Sequence, residues 1–109
     1  MQVEGVKSMK TDRGFERIEF EDCYHQQCVI QESSSALQRC IWLGLAKAEP
    51  VIMKSDAEKL GVEGEAVSGF VPYPIPEQVH ISSQMHLNRE QVYDLVAKLH
   101  KWLEYGSLS

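Results

Sequence analysis

The sequence predicts an α+β fold in which a small antiparallel sheet is covered by a C-terminal amphipathic helix. Short segments with the alternation or apolar content of strands occur in the first half of the chain, and one complete helix signal occurs at its end. Strands that precede a single amphipathic helix favour a sheet with the helix on one face. We expect a single α+β domain at residues 13–109, after a mobile N-terminal arm at residues 1–12 that lacks apolar periodicity.

Three segments have the character of strands. Residues 15–20 alternate, with Ile18 and Phe20 on the inward face, and a polar turn then leads to a second strand at residues 28–31 that completes a hairpin. Residues 40–45 are apolar at nearly every position. This third strand is therefore expected in the interior of the sheet.

Residues 49–84 give weaker signals. Ser55 and Glu58 have the spacing of a capping box, and Gly61 is suited to ending one or two helical turns. Three prolines at alternate positions within residues 72–76 lack the amide donor that a central strand needs. An extended edge segment or a polyproline helix is therefore expected there.

The C-terminal helix has the clearest signal. A last strand over residues 79–87 leads directly into it, Asn88 and Gln91 form a capping-box pattern, and Gly106 can adopt the left-handed conformation that ends a helix. We expect its apolar stripe to be buried against the sheet, because packing of the apolar face is what stabilises such a helix. The stripe comprises Val92, Leu95, Val96, Leu99 and Leu103.

The charge of the chain restricts its partners. A formal net charge of −5 argues against a protein that wraps nucleic acid, because neutralising many phosphates needs a concentrated basic surface. A local anion pocket is compatible with this charge, since two or three arginines and backbone amides suffice to build one. The longest apolar run, residues 41–46, is too short to span a bilayer, so no membrane partner is expected.

The three cysteines, Cys23, Cys28 and Cys40, are odd in number, and residues 1–10 lack the apolar stretch of a signal peptide. We interpret them as reduced thiols in a cytosol. A zinc site is the alternative, because Cys23, His25 and Cys28 fall within six residues. The second closely spaced pair of ligands that structural zinc sites use is missing, so we expect no metal and no cofactor.

Two further expectations follow from the residues alone. The usual sequence signatures of a catalytic nucleophile or a phosphate loop are not found, which favours a binding protein over an enzyme. A homo-oligomer, most simply a dimer, is expected because so short a chain carries two tryptophans and an apolar segment at Val71–Ile81 that one helix does not cover.

Several motifs together are more specific than any single one: FEDCYHQQCVIQESS, IWLG, VPYPIP and SSQMHLNREQV. They resemble a family of small, mostly uncharacterised bacteriophage proteins with the pattern F-x-D-x-Y-G-x-x-C-S-x-Q-x-S-S, then I-W-L-G, then R-M-H-L before a capped helix. The resemblance extends from about Gly14 to the end of the chain. The matching positions are Phe20, Asp22, Tyr24, Cys28, Gln31, Ser33, Ser34, Ile41 to Gly44, Met85, His86 and Leu87.

The chain departs from this pattern at four positions. His25 stands where the pattern has glycine, Val29 where it has serine, and Gln84 where it has arginine. Cys23 stands where the pattern usually has arginine, which argues further against zinc. If the family uses these arginines to bind an anion, this chain has lost or altered that part of the site.

A polar pocket is expected where the hairpin, the serine-rich loop and the start of the C-terminal helix converge. Helix N-termini and loop amides favour anions, and an aromatic ring beside them suits a nucleotide base. The alternative is turn chemistry, in which aspartate and serine side chains only shape their own loops and Arg89 is solvated. The candidate ligand-binding residues are Tyr24, Gln31, Ser33, Ser34, Trp42, His86 and Arg89.

The resemblance implies a phage protein that acts in the cytosol of a bacterial host. Combined with the expected anion pocket, it favours a non-enzymatic accessory protein that counteracts host defence by binding and sequestering a small nucleotide-type signal. The alternative is a phage inhibitor that blocks a host effector protein by direct contact, with an acidic surface that imitates nucleic acid. An enzyme is the third hypothesis.

Overall fold

The computed structural model describes residues 5–109, and within them the chain forms seven strands and two helices. By its contacts the chain divides into a large unit, which includes residues up to Ala46 and Ser83–Ser109, and a small unit, Lys47–Ser82. The elements in chain order are β1 (Lys7–Lys10), β2 (Glu16–Glu21), β3 (Gln27–Glu32), β4 (Cys40–Leu45), β5 (Val51–Met53), α1 (Lys54–Leu60), β6 (Phe70–Pro72), β7 (Gln84–Asn88) and α2 (Arg89–Tyr105).

The large unit contains an antiparallel sheet in the order β1-β2-β3-β4-β7, and β7 continues into α2. The predicted α+β class, with an antiparallel sheet and a C-terminal helix, is confirmed. The predicted hairpin is β2–β3, paired from Arg17 opposite Gln31 to Glu21 opposite Gln27. The third predicted strand, β4, lies between β3 and β7, in the interior of the sheet as expected.

Strand β1 lies within the segment that the sequence assigned to a mobile arm. Lys7–Lys10 pairs antiparallel with β2, so this part of the assignment is wrong, while Met1–Glu4 lie outside the described residues. All four side chains of β1 are exposed. Backbone hydrogen bonds to β2, rather than burial of side chains, define the strand, and this is why it leaves no hydrophobic pattern in the sequence.

The register gives the large sheet two chemically different faces. Residues that pair directly across antiparallel strands point to the same side. The polar face contains the row Arg17, Gln31, Trp42 and His86. The apolar face contains the row Ile18, Ile30, Leu43 and Met85.

The most buried part of the large unit is centred on β3. Val29 has no exposed surface, and its neighbour Cys28 is 8% exposed. Cys40 on β4 and Leu87 on β7 are also buried. For Val29, Cys28 and Cys40 the interior position of β3 and β4 contributes to this, because each of these strands has another strand along both edges, whereas Leu87 lies on the edge strand β7.

Gly44 allows β7 to lie close to β4. A Cβ atom at Gly44 would contact the carbonyl oxygen of Ser83 and come within 2.8 Å of the Cα of Gln84. The backbone of Ser83 is held there, because its carbonyl accepts a 3.0 Å bond from the Leu45 amide and its Oγ donates a 3.1 Å bond to the Leu45 carbonyl. A side chain at Gly44 therefore forces the two strands apart.

Helix α2 begins and ends as the sequence predicts. The Asn88 side chain accepts a bond from the Gln91 amide, the Gln91 side chain accepts one from the Asn88 amide, and Gly106 ends the helix with φ +71°. The predicted burial of its stripe is wrong for the single chain: Leu95 is 38%, Val96 59% and Leu99 54% exposed. Because β7 ends at Asn88 and α2 begins at the next residue, no loop turns the helix back over the sheet.

The small unit consists of the β5–β6 hairpin and α1, with Ala57 and Val71 buried. Helix α1 begins earlier than predicted, and the expected Ser55–Glu58 capping box is not formed: the N-cap is Met53, which makes no side-chain cap bond. The Lys54 amide instead donates to the Gly69 carbonyl at 3.0 Å, a tertiary contact that takes the place of a cap.

Other parts of the small unit agree with the sequence. Gly61 ends α1 in the left-handed conformation, with φ +70°. Pro72 lies in β6, which pairs only with β5 in the described structure and so tolerates a residue without an amide donor. The last predicted strand is shorter than expected, because Val79 and Ile81 lie before β7, after a turn in which the Val79 amide donates to the Pro76 carbonyl.

Replacement of Gly44 by Ala should destabilise the β4–β7 pairing by about 1–3 kcal/mol, the usual cost of forcing extra atoms into a packed site. Urea unfolding measures the change in the free energy of unfolding of the whole protein. Hydrogen exchange of the Leu45 amide, which donates to the Ser83 carbonyl, measures how far the β4–β7 pairing itself is weakened. Gly14→Ala is the control, because Gly14 also has positive φ but no atom within 4 Å of its Cβ position. Equal Leu45 exchange rates in the two variants would contradict the close approach.

Candidate functional site

The polar face of the large sheet carries four polar or aromatic side chains in one row across four strands. On β2 and β3, the Arg17 Nη1 donates to Gln31 Oε1 at 2.7 Å. On β4 and β7, the rings of Trp42 and His86 stack with centroids 4.1 Å apart and planes inclined by 26°. Gln31 pairs with Trp42 across β3 and β4, so the two contacts form one continuous strip.

The serine-rich loop, residues 33–39, connects β3 to β4 and is tied to β7 at its start. The Ser33 amide donates to the Cys40 carbonyl at 3.0 Å, and Ser33 Oγ lies 2.8 Å from His86 Nε2. The Ser35 amide also donates to Ser33 Oγ, at 3.2 Å. Ser33 therefore joins the loop to the Trp42–His86 pair, and the loop is positioned by a side chain 53 residues further along the chain.

Two clefts meet at this loop. The larger, of about 670 Å³, is bounded by the start of α2 and includes Ser33 and Ser35 in its lining. The smaller, of about 340 Å³, opens beside Ser34 and Trp42 on the polar face. Successive serines therefore contribute to opposite clefts, since Ser33 and Ser35 face one and Ser34 the other.

The larger cleft combines cationic, hydroxyl and aromatic groups with apolar walls. Arg39 at the end of the serine-rich loop and Arg89 in the first turn of α2 both line it. Glu32 is also present, but its Oε1 already accepts a 2.8 Å bond from the Glu16 amide. The aromatic and apolar side chains that line it are Phe15, Tyr93, Ile41, Leu87, Val92 and Val96.

The start of α2 adds a favourable field for an anion. The positive end of a helix dipole and the unpaired amides of its first turn attract negative charge. In this helix the capping box uses the Gln91 amide, so the amides of Arg89 and Glu90 are the first-turn donors still available to a ligand. An arginine in the first turn is unfavourable to the isolated dipole, and an anion bound in the cleft would offset that cost.

The structure divides the predicted site residues between the two clefts. Ser33 and Arg89 line the larger cleft, whereas Gln31, Ser34 and Trp42 line the smaller. His86 connects the two groups through its bond to Ser33 and its stacking on Trp42. Tyr24 lies apart, 81% exposed in the turn between β2 and β3.

Three residues of the larger cleft were missed by sequence reasoning: Phe15, Arg39 and Tyr93. Tyr93 lies one turn after Arg89, at the i, i+4 spacing that places two helical side chains on the same face, and this spacing was a usable signal. Phe15 and Arg39 precede strands and reach the cleft only through the conformation of their loops, for which the sequence contains no local pattern.

The turn between β2 and β3 supports the turn-chemistry interpretation for part of the motif. Asp22 Oδ1 accepts bonds from the Tyr24 amide at 2.8 Å and the Gln26 amide at 2.9 Å, and so shapes its own loop. His25 has φ +65°, a conformation that favours glycine, and it stands where the phage-protein pattern has glycine. Its Nδ1 lies 3.0 Å from Glu21 Oε2.

The cysteines are placed as structural residues. Cys28 and Cys40 are buried on opposite faces of the large sheet, while Cys23 is exposed. Within residues 5–109, no three His, Cys, Asp or Glu side chains are grouped so as to hold a metal ion. In the same range neither helix combines the length and the apolar content needed to cross a membrane.

Comparison of the chain with protein-family models and curated proteins, and of its structure with solved structures, gives no match.

Replacement of His25 by Gly should give a slightly more stable protein than replacement by Ala, because both remove the imidazole and its contact with Glu21, and only glycine adopts φ +65° without the steric cost that a side chain incurs there. The gain is limited, since glycine loses more backbone entropy on folding. Thermal unfolding measures it. His25→Ala, which removes the imidazole and retains the Cβ, is the matched control and should unfold at the lower temperature of the two.

The same turn predicts a pH dependence. Hydrogen bonds from His25 and then Gln27 lower the pKa of the Glu21 carboxyl below its ordinary value of 4.5. A lowered folded-state pKa means that the contribution of Glu21 to stability is present above pH 4.5 and is lost as the pH falls through the folded value. In NMR titrations the Glu21 pKa should rise toward 4.5 in the His25→Gly variant. An unchanged value would show that the imidazole does not stabilise the carboxylate.

Proposed function

We propose that this protein binds a small anionic, nucleotide-like molecule in the larger cleft and holds it without chemical change. As a phage accessory protein in the cytosol of a bacterial host, it would remove a defence signal from solution. The observation that carries the proposal is the convergence of Arg39, Arg89 and the N-terminus of α2 on one cleft that also contains aromatic rings.

The size of the cleft supports a ligand of this class. A volume of about 670 Å³ is within the range of roughly 300–1,000 Å³ typical of small-molecule sites. Two guanidinium groups offer planar, bidentate donors to phosphate oxygens. Phe15 and Tyr93 provide aromatic faces for a base, and Ile41 and Leu87 provide apolar walls for the remainder of the ligand.

The Ser33–His86 hydrogen bond is the observation that favours an enzyme as a second candidate, because a serine within 2.8 Å of an imidazole is the contact of a nucleophile with its base. A working base is usually oriented by a third group. Within residues 5–109 the structure places no hydrogen-bond partner at His86 Nδ1; the ring is oriented instead by stacking on Trp42. We therefore assign the pair to holding the serine-rich loop in place.

Substitution of either arginine tests the site. Arg39→Ala and Arg89→Ala should each weaken binding by roughly 10- to 100-fold, the loss expected for one charge-assisted hydrogen bond of about 1.5–3 kcal/mol. Isothermal titration with a panel of cyclic nucleotides and ADP-ribose derivatives measures the affinity. Lys101→Ala is the control on the same helix, because Lys101 does not line the cleft.

The outcomes separate the candidate functions. Recovery of the intact ligand after heat release supports sequestration. Formation of a chemically altered product by the wild type, but not by the Ser33→Ala variant, supports an enzyme. Loss of binding in Trp42→Ala but not in Arg39→Ala would move the site to the smaller cleft. Failure to bind any member of the panel, together with capture of a host effector, would favour an inhibitor that acts by direct contact.

A further inference from the structure

Two apolar surfaces of the large unit remain uncovered in the single chain. One is the helix stripe, defined here by Leu95, Val96, Leu99, Trp102 and Leu103, whose side chains are 38–76% exposed. The other is the β7 edge of the apolar sheet face, where Met85 is 52% exposed, while Ile18, Ile30 and Leu43 of the same row are half-buried. Leu87 and Val96 line the same cleft, so the two surfaces meet where β7 joins α2.

The helix needs a surface to pack against. An isolated helix of 17 residues is marginally stable in water even with favourable caps, and most helices in proteins are stabilised by burial of an apolar face. In the single chain none of its residues is buried, because β7 continues into α2 without a loop that would turn the helix back over the sheet. In the single chain the apolar stripe therefore has no surface that buries it.

We propose that the surface that buries the helix stripe is the apolar sheet face of a second copy of the chain. In the resulting dimer the helix stripe of each chain packs on the sheet of the other. A two-fold axis relates these two contacts, so the assembly is closed at two copies. This arrangement provides in trans the sheet-covering helix that the sequence pattern indicates. The proposal rests on apolar surfaces rather than on the arginines, and it shares only the apolar lining of the larger cleft, Leu87 and Val96, with the proposed ligand site.

The exposed area is sufficient for a stable dimer. Full burial of an aliphatic side chain is worth about 1.5–3 kcal/mol at about 25 cal/mol per Å², which corresponds to roughly 60–120 Å². Weighted by their exposure, the helix stripe and the apolar sheet face together leave roughly 300–600 Å² per chain on this scale. A standard interface buries about 800 Å² per partner, of which about 60% is apolar, and that apolar area lies within the same range.

The test is the oligomeric state of the full chain measured by sedimentation over a concentration series. The expected mass is twice the 12.4 kDa of the chain. Leu99→Asp places a charge in the helix stripe and should raise the dimer dissociation constant at least ~100-fold. Ala97→Asp is the matched control: it adds the same charge to the same helix on the opposite face and should leave the dimer intact.

A second variant tests where the helix packs. Met85→Glu alters the apolar sheet face at an exposed position, and it should also dissociate the dimer while circular dichroism shows that the strands are retained. A wild-type chain that sediments as a monomer at all concentrations, or as an assembly with an odd number of copies, would overturn the proposal. A dimer lost in Leu99→Asp but unaffected by Met85→Glu would overturn the packing of helix on sheet.

Discussion

The direct junction between β7 and α2 is the constraint on which the large unit depends. Asn88 is both the last residue of the strand and the N-cap of the helix, so the direction of the strand and the capping box together determine where the helix goes. The same junction leaves the apolar stripe uncovered, brings Arg89 to the end of the sheet and forms one wall of the larger cleft. The exposed stripe and the candidate ligand site therefore have one structural cause.

A second contact links the two faces of the sheet. The hydrogen bond between Ser33 and His86 holds the serine-rich loop against β7, and the stacking of His86 on Trp42 connects that loop to the polar row. Neither contact is local in sequence. The polar residues of the sequence motifs thus have different roles. Asp22 shapes its own turn, whereas Ser33 and His86 connect distant segments of the chain.

Much of the fold was predictable because its signals are local. The capping box at Asn88, the glycine at position 106 and the apolar run of β4 each depend on neighbouring residues, and each was located correctly. The failures share a physical reason. β1 is defined by backbone pairing with β2, α1 starts where the Lys54 amide meets the Gly69 carbonyl, and the stripe of α2 reveals an apolar face without revealing what covers it.

The candidate site was predictable only in part. The alternation of side chains along strands places Gln31, Trp42 and His86 in one row once the register is known, but the register itself is a long-range property. Arg39 reaches the larger cleft through the path of a loop, for which the sequence offers no periodic pattern. Residues on regular elements were therefore easier to place than those on the connections.

The central claim is that α2 is kept off its own sheet and packs on that of a second copy. Isotope-filtered NMR on a mixture of labelled and unlabelled chains measures this most directly, because it separates contacts between molecules from contacts within one. We expect nuclear Overhauser effects between the methyl groups of Leu99 in one chain and Met85 in the other. The same effects observed only within a single labelled chain would show that the helix folds back over its own sheet, and would contradict the proposed dimer.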